Sequence, residues 1–163
     1  MKAATLVPFG LLVLGCAALD QWIKRLVVAN MELYERIDLV PHLALFHTRN
    51  TGVAFSFLSG FNDTLMVALT TAVMLFIAVL AWRTGPEQPF ARAGFALILG
   101  GALGNIIDRA TLGYVVDYIL FHTETWSFAV FNLADVFISV GAGLVLLQEF
   151  LDWRRSRGQK PAA

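Results

Sequence analysis

Two aspartates can meet at the outer edge of a membrane, and one of them stands where a carboxylate is expensive. Asp135 lies in an apolar stretch from about Phe128 to Phe150 that is otherwise uncharged as far as Glu149, with Asn132 three residues before it and Ser139 and Gly143 continuing the same helical stripe. Asp117 follows Gly113-Tyr114-Val115-Val116, whose alternating character reads as a short extended segment. A charge in hydrocarbon costs at least about 2.5 kcal/mol on insertion scales, so an intramembrane acid marks a function by default. Two carboxylates brought together cannot both ionise easily. They share one proton and supply a base and an acid at once. That is aspartic protease chemistry: one carboxylate takes a proton from water as it attacks a carbonyl, and the protonated partner stabilises the oxyanion and then protonates the leaving amine. Ion transport uses intramembrane acids equally well, so the residues alone leave both readings open.

Other polar residues fall on helical spacings. Asp20 and Lys24 are i, i+4 on one face and able to pair, which reads as a structural ion pair orienting a helix. Asn105, Asp108 and Arg109 at i, i+3 and i+4 make a polar edge pointed at a bundle, and the small residues from Gly100 to Gly104 before them let a neighbouring backbone approach. Several chemistries find no pattern. His42, His47 and His122 form no H-E-x-x-H, there is no G-x-S-x-G, and Ser56, Ser59 and Ser139 have no evident histidine partner. The single cysteine, Cys16, excludes an internal disulfide and every multi-cysteine metal site. Neither a metal nor another cofactor is expected. Val13-Leu14-Gly15-Cys16 loosely mimics a lipoprotein cleavage site, but apolar character continues toward Trp22 and Ile23, as an anchoring helix requires.

The elements that must position these residues are mostly membrane helices. The chain has 163 residues, 58% of them hydrophobic, which suits one domain and excludes an ordinary soluble globule. A hydrocarbon core needs roughly 20 apolar residues per helix. Candidate spans run over about 5–28, 64–82, 90–107 and 128–150, with longer connections at about 29–63 and 108–127. Four spans put both termini on one side. Lys2, Arg83, Arg92, Arg154, Arg155, Arg157 and Lys160 would face that side, against Lys24, Arg25, Arg36, Arg49 and Arg109 on the other, which favours cytoplasmic termini and an external face carrying both long connections. In the first connection, Leu39 to Thr48 suits short edge strands, and Phe55 to Phe61, with three phenylalanines, suits the headgroup zone. No basic stripe with interleaved aromatics points to nucleic acid.

Four blocks carry a family resemblance: Asp20-Gln21-Trp22-Ile23-Lys24; Asn50-Thr51-Gly52-Val53-Ala54-Phe55; Gly104-Asn105-Ile106-Ile107-Asp108-Arg109 with Gly113 to Tyr118; and Phe131-Asn132-Leu133-Ala134-Asp135. In this order they resemble the motif blocks of lipoprotein signal peptidase (signal peptidase II), an aspartic protease family of bacterial membranes. The resemblance implies a mainly α membrane fold: four transmembrane helices, a small external β-rich cradle and a short amphipathic surface helix. It implies cleavage of prolipoproteins just before a diacylglyceryl-modified cysteine, at the inner membrane, with Asp117 and Asp135 as the catalytic pair. Asn50, Gly52, Asn105, Arg109 and Asn132 would hold the substrate or orient the acids, while Asp20, Lys24 and Asp108 would be structural. Partners would be lipid-modified prolipoproteins, membrane lipids and globomycin-type inhibitors. A transporter would spread titratable groups across the bilayer depth, whereas here they gather at one end, and a mere scaffold would leave the cost of Asp135 unexplained.

Overall fold

A computed structural model of the chain describes residues 3–51 and 63–158. Gly52, the Phe55 to Phe61 segment expected at the membrane surface, Lys2 and Lys160 lie outside the described residues. The chain is mainly helical, in the order α1 (Ala3–Asn30), β1 (Arg36–Val40), β2 (Leu43–Asn50), α2 (Asp63–Arg83), α3 (Pro89–Leu112), β3 (Val115–Phe121) and α4 (Leu133–Gly158). Among the described residues, Leu6–Asn30, Pro89–Leu112 and Leu133–Arg157 are long and apolar enough to cross a membrane, and Val67–Arg83 is a shorter apolar helix. Leu11, Leu14, Leu75, Phe76 and Leu146 are each at least 60% exposed, which in a helix of this length is a surface made for lipid rather than water.

α3 is the central helix, packed against α1, α2 and α4. Its glycines make that possible. A Cβ on Gly94 would sit 2.5 Å from the Gly141 carbonyl oxygen, and a Cβ on Gly141 would sit equally close to the Gly94 oxygen, so α3 and α4 touch backbone to backbone. Gly100 meets the Val13 carbonyl and Cys16 of α1, and Gly104 meets the carboxylate of Asp20. Gly94→Ala is therefore expected to lower stability by about 1–3 kcal/mol through overpacking, read as a lower unfolding temperature in detergent. An unchanged unfolding temperature would mean the two helices can part without cost.

Gly113, at φ 80°, closes α3 in the left-handed conformation, its N–H donating to the Arg109 carbonyl. The chain then reverses into β3, which joins an antiparallel sheet of order β1-β2-β3. The strand reading of Leu39 to Thr48 matches the end of β1 and most of β2, paired across a two-residue turn at Pro41 and His42, but only β1 is an edge strand: β2 is central, flanked by β1 and β3. In the β2–β3 register Thr48 faces Asp117 and Asn50 faces Val115, which puts the end of β2 beside the beginning of β3. α4 begins later than its hydropathy suggests. Phe128 and Phe131 pair with the end of β3 through Phe128 N–H to Phe121 O at 2.7 Å and Phe131 N–H to Ile119 O at 3.0 Å. Helix geometry starts only at Leu133, so Asp135 lies in the first turn instead of two turns in.

Candidate active site

The start of α4 gathers the chemistry. Asn132 is its N-cap, and its side-chain oxygen accepts the Asp135 N–H at 3.1 Å while the Asp135 carboxylate accepts the Asn132 N–H at 3.1 Å. This is a capping box with aspartate in the usual glutamate position. The remaining atom of Asn132, its side-chain nitrogen, donates to Asp117 Oδ1 at 2.6 Å and to Asn105 Oδ1 at 3.2 Å. One fully buried side chain thus binds both aspartates. Asn105, on α3, donates its Nδ2 to Asp135 Oδ1 at 2.9 Å, and Asn50, at the end of β2, donates to Asp117 Oδ2 at 3.0 Å. Three elements therefore deliver asparagine amides to the two carboxyls, and a fourth, β3, delivers Asp117.

Beneath this layer lies a charged one. Lys24 Nζ reaches Asp20 Oδ2 at 2.8 Å, Asp108 Oδ2 at 3.0 Å and Asn105 Oδ1 at 2.9 Å, which fills its three donors. Asp20 Oδ1 also accepts the Ala134 N–H at 3.0 Å, and Asp108 Oδ2 accepts the Val116 N–H at 3.0 Å. The residues read from sequence as an ion pair thus form a triad that ties α1 to α3, β3 and the first turn of α4. Arg109 stands apart. Half-buried, it donates to its own helix at Asn105 O over 3.4 Å and makes no ion pair with a described residue. Two partners escaped the sequence reading of sites. Gln21 donates to Asp108 Oδ1 at 2.6 Å and to the Gly104 carbonyl at 3.1 Å, and Tyr118 Oη accepts the Leu133 N–H at 3.2 Å. The i, i+3 step from Gln21 to Lys24 was the available signal for the first.

Asp117 is 2% exposed, and burial pushes its carboxyl up to about 6. The Asn50 and Asn132 hydrogen bonds oppose that rise, and the charge of Asp135 adds to it. Burial likewise pushes the Tyr118 phenol up to about 12, so it stays protonated. A carboxyl whose folded-state value lies above the ordinary value of about 3.9 contributes stability that is fully present below that pH and is lost as pH rises through the folded value. The unfolding temperature is therefore expected to decline from about pH 4 to above about pH 6, and Asp117→Asn to flatten that decline. An identical slope in the variant would show that another group titrates there.

Beside the pair, a cavity of about 280 Å³ is lined by Phe128, Phe131, Asp135, Val136, Ser139 and Val140. It is apolar apart from the carboxyl and the serine. Such a site can take a hydrophobic substrate and hold its reacting bond against a carboxylate.

The comparisons with known proteins agree with one another. The family model for signal peptidase (SPase) II matches residues 12–151. A lipoprotein signal peptidase of Mesorhizobium japonicum is 59% identical over 148 residues, 91% of this chain and 88% of the relative. One of Brucella ovis is 58% identical over 139 residues, 85% of this chain and 87% of the relative. The chain belongs to the signal peptidase II family. It is accordingly an aspartic peptidase and a membrane protein. Two solved bacterial membrane enzymes share its fold, one at TM-score 0.82 and 26% identity over 98% of this chain and 96% of that one. The other superposes at TM-score 0.79 and 27% identity over 88% of this chain and 92% of that one.

Proposed function

We propose that this peptidase removes signal peptides from diacylglyceryl-modified prolipoproteins by cutting before the lipidated cysteine, with Asp117 and Asp135 activating water. The observation that carries the mechanism is Asn132, which holds Asp117 with its side chain and Asp135 with its backbone. The charge balance supports it. Lys24 is occupied by Asp20, Asp108 and Asn105, and among the described residues no cation is in ion-pair contact with Asp117 or Asp135. Asp117 is buried and Asp135 half-buried, and two neighbouring acids without a counter-ion favour sharing one proton. One carboxylate then takes the proton of the attacking water while its protonated partner donates to the carbonyl oxygen, and the proton afterwards reaches the departing amine.

Asn50, Asn105 and Asn132 orient the pair, leaving Arg109 as a cation available to substrate carbonyls; Gly52, carried over on the sequence match, flanks Asn50. Asp20, Lys24 and Asp108 hold the helices that present these groups. We read α2 as the fourth span, the termini as cytoplasmic and the sheet end as external in the bacterial inner membrane, where a lipidated cysteine arrives sideways. The apolar cavity beside Asp135 would take up part of that lipidated substrate. Acyl recognition is worth about 0.8 kcal/mol per buried methylene, ample for selecting lipidated substrates. Globomycin-type peptides are the expected inhibitors.

The deciding experiment is a gel-shift assay on a purified prolipoprotein with and without its diacylglyceryl group. Cleavage of the lipidated form alone is expected, unchanged by a strong chelator and by Cys16→Ala, because carboxyl chemistry uses neither a metal nor a thiol. Equal cleavage of the unmodified protein would sink the substrate assignment. Loss of turnover with the chelator or in the cysteine variant would sink the mechanism.

A further inference from the structure

A second recess lies on the other face of β3. Side chains alternate along a strand, so Asp117 points to the asparagines while Val116 points to α1, where it joins Val27, Met31 and Tyr118 in a core cluster. On that side a groove of about 370 Å³ opens between α1 and α3, within the size range of small-molecule sites. Its walls are mainly apolar, with Val28, Ala29, Ile107 and Leu112 among them, and Arg25 stands at its exposed edge. Lys24, the neighbouring cation, is fully engaged by three partners. Arg25 makes no hydrogen bond or ion pair with any described residue.

We propose that this groove binds one phospholipid, its phosphate on the Arg25 guanidinium and an acyl chain laid between α1 and α3. The inference rests on reading those two helices as membrane spans, and not on the identity of the substrate. Arg25, five residues inside the outer end of α1, is exposed, lacks a protein counter-ion and borders a mainly apolar groove, which matches a phosphodiester in charge and an acyl chain in polarity. The groove also touches the support of the active site from behind. Lys24 and Asp108 line it, and Lys24 is hydrogen-bonded to the same Asn105 that holds Asp135. A bound lipid would thus fill the one recess that reaches the buried ion triad from the membrane side among the cavities described above.

The test is native mass spectrometry of the delipidated full-length protein in detergent, titrated separately with dioleoylphosphatidylglycerol, dioleoylglycerol and inorganic phosphate. One phosphatidylglycerol per chain is expected to bind, with dioleoylglycerol, which lacks the phosphate, held about fivefold more weakly. Arg25→Gln should weaken the phospholipid by a similar factor and leave dioleoylglycerol unaffected. Thr111→Phe, which fills the groove and keeps the arginine, should weaken both lipids. Equal retention of phosphatidylglycerol by the wild type and Arg25→Gln, or equal binding of the two lipids to the wild type, would overturn the proposal. Displacement of the lipid by inorganic phosphate would overturn it as well, by making the site one for free anions. Unfolding temperatures of both variants establish that they are folded, and neither residue belongs to the catalytic layer.

Discussion

Replacing Asp117 or Asp135 with asparagine should lower turnover by about 10²- to 10⁴-fold in each case while the protein stays folded. Asparagine keeps the volume and can still accept a hydrogen bond through one oxygen, so Asp135→Asn can preserve the capping box with Asn132. In Asp117→Asn, the new amide group can face Asn50 once the Asn50 amide turns to present its oxygen. Neither variant can exchange a proton at neutral pH. Gel-shift kinetics on lipidated prolipoprotein, read beside unfolding temperatures, separate chemistry from folding. A variant that kept about a tenth of the wild-type rate would remove that residue from the pair.

The largest effect on stability is expected at Lys24. In Lys24→Met, Asp20 and Asp108 stay buried, at 0% and 2% exposure, without their cation. Removing one partner of a buried ion pair costs about 3–5 kcal/mol, whereas replacing the whole set by neutral groups costs far less. For a chain of this length that corresponds to a fall of about 10 °C in unfolding temperature. The triple variant Asp20→Asn, Lys24→Met, Asp108→Asn should recover most of it, because Asn oxygens can still accept from Ala134 and Val116. If Lys24→Met unfolded with the wild type, the triad would be ornamental. If the triple variant fell further still, the charges themselves would be contributing net stability.

The sequence reading reached this site because polar residues in apolar helices are few and their spacing is regular. Asp20 with Lys24, and Asn132 with Asp135, were visible as helical pairs, and the alternation before Asp117 announced a strand that proved to be β3. What stayed hidden was how those pieces meet. Hydropathy cannot tell the Phe128 to Phe131 run from a buried first turn, and only its pairing with Ile119 and Phe121 shows that the helix starts later. The triple duty of Asn132 depends on that start, since an asparagine mid-helix could not cap. Gln21 gave too weak a signal on its own, one neutral amide among many. At the opposite end of the bundle, Gln148, 2% exposed, donates to Asp152 at the ordinary i, i+4 helical spacing and accepts from Phe90 N–H, a closure that no local pattern foretold because Phe90 is 58 residues away.

The first three amides of α4 are satisfied by Tyr118, Asp20 and Asn132, so the last helix to leave the ribosome is capped in part by a carboxylate made 114 residues earlier. Until α4 docks, Asp20 lacks that donor and Asp117 lacks Asn132. Until α1 is in place, the Ala134 amide at the start of α4 lacks the acceptor it has in the folded chain. If Asp117 and Asp135 are the catalytic pair, a half-made chain carries one acid without the other, and the layer that holds them is complete only when the two ends of the chain have closed on each other.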